Sequence, residues 1–405
     1  MGIISKYIIS FLLLTGFVSA VYFLSLVAGL SFVIPVLLSF AFIIVLYKVL
    51  FKNQVTITTR LPWWAVIIFI LCLCLLTINA SKLAIKHGGW DAWAIWNLHT
   101  RYLIYPAYWK NMFLNVESEH PDYPLALPAF LAFTIRLFAN HFSLIITFLF
   151  SLLVTLSAPL LIFSELIKKN IFIALLAFYL LAQDQFYIAT GLSQYADTLL
   201  SLFLLAAMVA VNHAPNNPRY VAVCAALLAC CAFTKNEGAL LAGIFFLFYA
   251  RVFLSKNNIK YTLIGAVIPL AALLIFKIIC PNPNDMASSL NSETMNRLFQ
   301  KDRYLLIYTS FRQNLDAKFY YLKIGVILSL ALSLIQRKLP GKQFLFLTVC
   351  LLCYMGIYVI TPHGLEWHLS TSQDRLMHQL MPPMVYVIAM QFCGRQYVVD
   401  SWRKR

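Results

Sequence analysis

Long apolar stretches separated by short polar turns run the whole length of the 405-residue chain. Most hold about 17–25 residues, the length of a helix that crosses a hydrocarbon core about 30 Å thick. They predict spans near 7–29, 31–51, 61–81, 142–163, 171–189, 197–213, 219–234, 238–255, 260–280, 319–336, 343–360 and 379–394. One further run, 124–139, is shorter, carries Pro124 and Pro128 and holds Arg136. Its placement follows from charge, because short cytoplasmic loops collect Lys and Arg. If 124–139 returns to the side it came from, the loops with Lys52, Arg60, Lys168, Lys169, Arg219, Lys256, Lys260, Arg337, Lys338, Lys342, Arg403, Lys404 and Arg405 share one side. Of the 15 acidic residues only Glu165 and Asp400 join them. Letting the run cross scatters both signs.

The expected fold is therefore an all-α polytopic integral membrane protein. It has about twelve crossings, both termini cytoplasmic, and a re-entrant or juxtamembrane helix in the first outer, periplasmic loop. The first apolar stretch is too long for a signal-peptide core and the second follows at once, so an uncleaved anchor is expected. Residues 1–60 read as a two-helix extension, 61–255 as a first transmembrane module, and 256–405 as a C-terminal one with outer loops 281–318 and 361–378.

Composition agrees and narrows the function classes. The chain is 61% hydrophobic and 11% charged, with a mean hydropathy of +0.80, against about 25% charged residues in soluble domains. Soluble dinucleotide-binding enzymes, disordered scaffolds and disulfide-stapled secreted domains are excluded. The net charge of +16 is carried by the cytoplasmic loops, so it is a topology signal and not a nucleic-acid footprint. Of nine cysteines, Cys72, Cys74, Cys224, Cys230, Cys231, Cys350 and Cys353 lie inside apolar runs, as buried thiols do.

Polar chemistry is left to four outer loops, near 82–123, 184–196, 281–318 and 361–378. In the first, Asp91 stands among Trp90, Trp93 and Trp96, the aromatic density of a membrane interface. A helix over about 91–104 would put Trp93, Trp96 and Leu103 on one face and Asp91 at its N-terminus, where Asp also serves as an ordinary cap. The loop ends in His120-Pro121-Asp122-Tyr123-Pro124. Ser193-Gln194-Tyr195-Ala196-Asp197 leads into a span, and Thr234-Lys235-Asn236-Glu237-Gly238 is a tight turn between two spans. The last loop carries His363, Glu366, Trp367, His368, Asp374 and Arg375. His87, His99, His120, His363 and His368 face outward without metal-ligand spacing, so no metal site and no required cofactor are predicted; a divalent cation has no support.

Taken together, these residues resemble the GT-C superfamily of polytopic glycosyltransferases, which includes protein O-mannosyltransferases and the aminoarabinose transferase of lipid A. The likeness covers roughly 61–255, the catalytic module it implies. Asp91 matches the family's first-loop catalytic acid/base residue, His120–Leu125 its Pro-rich re-entry, the stretch ending in Asp197 its Arg-x-x-Asp, and Lys235–Gly238 its Lys-Gly turn. Gln194 stands where the family often has Arg, and Ala92 follows Asp91 where the family often has Glu.

The resemblance implies a sugar donor on a polyprenyl phosphate and a glycan, lipid or protein acceptor at the periplasmic face of a bacterial inner membrane. Inverting transfer needs a base for the acceptor hydroxyl, the expected role of Asp91. It needs no general acid, because a phosphodiester leaves already ionised. Arg375, Lys235 and Arg101 are the expected phosphate ligands. His120, Asp122, Tyr123, Asp197, Glu237, Glu366 and His368 are expected to bind the acceptor or orient these groups. Two other classes stay open: a transporter or flippase of lipid-linked sugars, and an O-antigen ligase or polymerase using Arg297, Lys301, Arg303 and Arg312.

Overall fold

A computed structural model describes residues 1–52, 61–114, 119–139, 141–282 and 292–394. Arg60, Asp400 and the basic 403–405 tail lie outside them. Among the described residues the chain is helical with no strand. Backbone polar groups in a bilayer must be satisfied within the segment, and a helix does that. Of these described helices, seven are long and apolar enough to cross a membrane, or up to nine if two bent pairs each count as one span.

The first three long helices are α1 (Ile3–Val27), α2 (Val33–Leu50) and α3 (Trp63–Leu83). A single π-helical turn, Ala92–Trp96, then runs into α4 (Asn97–Ile104), and α5 (Ala126–Phe138) follows. Next come α6 (Leu144–Leu166), α7 (Ile171–Gln183), α8 (Gln185–Leu192), α9 (Ala196–His213), α10 (Arg219–Thr234), α11 (Asn236–Phe248), α12 (Ala250–Phe253) and α13 (Ile259–Ile279). The chain continues through α14 (Ser292–Leu298), α15 (Lys301–Ala317), α16 (Tyr320–Ile335), α17 (Lys342–Ile360) and α18 (Leu365–Phe392).

At the centre stands α9, buried at every residue from Ala196 to Val211 and packed against α6, α10 and α18. At the periphery α2, α3 and α13 turn most of their apolar side chains outward. A water-soluble fold would bury such faces; lipid does not require it. Thirteen residues make α5 about 20 Å long, shorter than the hydrocarbon core, as are α10 and α11. It lies on α1 and α4, with Ser19 Oγ donating to the Ala126 carbonyl at 2.7 Å.

Three stretches expected as loops are helical. Residues 185–192 form α8, set at 63° to α7, because Asp184 caps it through the Tyr187 N–H at 2.7 Å. The 281–318 segment contains α14 and α15, and α15 meets α16 at 99°. The 361–378 segment is mostly the first half of the 28-residue α18. In α18, polar residues interrupt the hydrophobic run without interrupting the helix.

Candidate active site at one end of the bundle

Residues from four distant segments meet where α9 begins and α10 ends. Arg375, on α18, forms an ion pair through Nη1 with Asp91 Oδ2. Lys235, in the turn between α10 and α11, reaches Asp197 Oδ1 at 3.0 Å and Glu237 Oε1 at 3.4 Å. Gln379, one turn beyond Arg375, donates to the same Asp197 oxygen at 2.5 Å and accepts from Tyr354 Oη at 2.6 Å. Asp197 is fully buried and Lys235 nearly so.

Low surrounding polarity makes such charges costly unless they are matched. Burial alone would push the Lys235 ammonium down, but Asp197 and Glu237 more than offset it, and its pKa lies above the ordinary value. Burial also works against the Arg375 charge; Asp197 and Asp91 outweigh it and hold the guanidinium firmly protonated.

Local backbone explains how Asp91 arrives there. Gly88 has φ +76°, and a Cβ on it would lie 2.6 Å from Ala92 Cβ and 3.0 Å from the Ser193 carbonyl. Gly89 donates its N–H to that carbonyl at 2.9 Å. The Gly-Gly pair thus lets the first loop press on the 193–195 corner, where Gln194 takes φ +61°. Buried Gln194 accepts from Asn97 Nδ2 at 2.8 Å and donates to the Lys86 carbonyl at 3.2 Å. The amide serves there as both donor and acceptor. Asp91 makes no side-chain cap bond; its carboxylate is directed to Arg375. The π turn inserts a residue between the expected partners, leaving Trp93 half exposed while Trp96 and Leu103 are buried.

Aromatic rings wall the cations. Lys235 Nζ lies 5.9 Å from the Trp96 ring centroid and 5.6 Å from that of Tyr123, and Arg375 lies 5.4 Å from Tyr195. His120, at φ +48°, stacks on Tyr123 with centroids 4.6 Å apart. Asp122 accepts from Asn236 Nδ2 at 2.7 Å, and Lys277 bridges the Asp122 carbonyl and Asn236 Oδ1, both at 2.8 Å.

The remaining expected residues sit elsewhere. Arg101 stacks on Phe142 at 4.4 Å and Trp93 at 5.6 Å. His368 contacts Thr361 Oγ1 at 2.8 Å; burial, then His363, Arg375 and His120, push its pKa down to about 4. Glu366 lines an open groove of about 490 Å³ with Asp302, Arg303, Leu306 and Trp367. It precedes Arg375 by nine residues, about 13 Å along α18.

Gln379 was not expected. A Gln one helical turn after Arg375, opening an apolar span, was the available signal. Among the described residues no group of three or more His, Cys, Asp or Glu side chains is placed to hold a metal ion. No protein-family model, curated protein or solved structure matches this chain.

Proposed function

We propose that this chain is a GT-C-like membrane glycosyltransferase moving a sugar, with inversion, from a polyprenyl phosphate to an acceptor hydroxyl. In this reading α1, α2, α3, α6, α7–α8, α9, α10, α11–α12, α13, α16, α17 and α18 make twelve crossings of a bacterial inner membrane. Both termini are cytoplasmic and the site is periplasmic. The observation that carries the reading is the meeting of Asp91 with Arg375 beside the buried Lys235–Asp197 pair. A carboxylate for the acceptor proton and two cations for a phosphate stand together at one helix end.

The ion pair suggests how the base is released. The donor phosphodiester competes with Asp91 for Arg375, whose guanidinium binds phosphate in bidentate fashion. Asp91 then takes the proton of the acceptor hydroxyl as that oxygen bonds to the anomeric carbon. The anomeric C–O bond breaks with its electron pair going to the polyprenyl phosphate, and Arg375 and Lys235 stabilise the departing charge. Asp197, Gln379 and Glu237 position Lys235.

A transporter of lipid-linked sugars is the second reading, favoured by the broken helices at Asp184 and between α15 and α16. The two separate in vesicles containing the purified protein and radiolabelled polyprenyl-phosphate hexose. Transfer to an acceptor, with free polyprenyl phosphate as co-product, supports the enzyme. Movement of intact donor between leaflets without transfer supports the transporter.

A further inference from the structure

The end of the bundle opposite Asp91 carries a feature that no step above uses. Lys48 and Lys52, one turn apart at the end of α2, and Arg219, the first residue of α10, line an open pocket of about 410 Å³ together with Val49. All three cations are exposed, and none has an acidic partner among the described residues. Glu165, the acid at this end among the described residues, is already engaged: it accepts from His213 Nε2 at 2.8 Å and from the Gly2 N–H at 3.4 Å. Lys6 adds a further charge close by, with Nζ 5.9 Å from the ring centroid of Phe51, the neighbour of Lys52.

A stripe of apolar side chains leads straight to this pocket. Leu37, Phe40 and Ile44 precede Lys48 at helical spacings of three and four, so they share its face of α2. They are 62%, 61% and 58% exposed. A cationic concavity continuous with an uncovered apolar stripe matches an amphiphile with an anionic head. We infer that the pocket and stripe form a binding site for an anionic phospholipid, its phosphate between Lys48, Lys52 and Arg219 and its acyl chains along Leu37, Phe40 and Ile44. A free phosphate ion would satisfy the pocket but make no use of the stripe that runs into it.

Native mass spectrometry of the purified protein, exchanged against phosphatidylglycerol or phosphatidylcholine, tests this. Wild type should retain phosphatidylglycerol selectively, and the Lys48→Ala/Lys52→Ala/Arg219→Ala variant should lose that selectivity by at least about tenfold. Ile44→Asn should also weaken retention, and millimolar inorganic phosphate should not displace the lipid. The single variants Lys52→Gln and Arg219→Gln guard against misfolding: phosphatidylglycerol should raise the melting temperature of wild type more than theirs. Equal selectivity in the triple variant would mean that these cations only set topology, overturning the inference. Full competition by inorganic phosphate with an unaffected Ile44→Asn variant would make it an ion site. A dimer broken by Ile44→Asn would assign the stripe to a second copy of the chain, and either outcome overturns it too.

Discussion

Replacing Lys235 by methionine removes the ammonium from the most buried charge pair at the site. Asp197 is fully buried, and one of its oxygens takes both Lys235, at 3.0 Å, and Gln379, at 2.5 Å. Its other oxygen, Oδ2, has no hydrogen-bond partner. Without Lys235 the carboxylate keeps the Gln379 hydrogen bond and the more distant charge of Arg375, and breaking a buried pair in this way costs up to about 3–5 kcal/mol. Glu237, partly exposed at 3.4 Å, adds little. Removing both charges with Lys235→Met/Asp197→Asn should recover about 1–3 kcal/mol of that loss, the coupling expected of contacting residues. A thiol-reactive dye can follow melting in one detergent–lipid mixture, because Cys224, Cys230 and Cys231 are buried. The melting temperatures should rank wild type highest, then the double variant, then Lys235→Met. If Lys235→Met melts with wild type, or the double variant falls below it, the charge-matching argument is wrong.

Further expectations concern residues around that pair. Arg375→Lys keeps the charge but loses the planar fork, so kcat/KM for the polyprenyl-phosphate donor should fall while insertion and expression hold; unchanged kinetics would reduce Arg375 to an interface anchor. Gly238→Ala would place a Cβ 2.0 Å from the Cys231 carbonyl, and should cost about 1–3 kcal/mol in the same melting assay while disturbing the Lys235 turn. His99 is pushed down to about 4 by burial and then by His120. Its unfolded form therefore binds protons first, and stability present above about pH 6.5 is lost as pH falls toward 4, by on the order of 2 kcal/mol at pH 5. The drop in melting temperature from pH 7 to 5 should shrink in His99→Gln. Reporter fusions after Asn170 and Leu339 should face the cytoplasm and one after Lys86 the opposite side; a periplasmic signal at Asn170 would mean that α5 crosses.

The all-helical membrane class could be read from hydrophobic run length, because helix length and bilayer thickness share one physical cause. The shortness of α5 was legible too, but length does not separate it from α11, and its placement follows from the sidedness of charge. Helix breaks were not legible. At Asp184 the bend depends on a cap and on Tyr321 donating to the same carboxylate at 2.7 Å, a contact 137 residues away in sequence. Asp91, Asp197, Lys235 and Arg375 stood out as charges at span ends, where hydration or pairing is obligatory. Their partners did not, since pairing Asp91 with Arg375 depends on how α18 lies along α9. The role of Gln194 was hidden because its meaning lies in a positive φ and in bonds to the Asn97 side chain and the Lys86 carbonyl.

The central claim is that Asp91 is the base. Asp91→Asn keeps the shape and removes both proton acceptance and the charge that holds Arg375. Single-turnover transfer from a radiolabelled polyprenyl-phosphate hexose, measured beside donor binding in the same lipid vesicles, separates those two effects. If Asp91 is the base, transfer should be slower by about 10²–10⁴, with donor binding unchanged or tighter because Arg375 is no longer claimed by a carboxylate. Wild-type transfer rates in Asp91→Asn would contradict it.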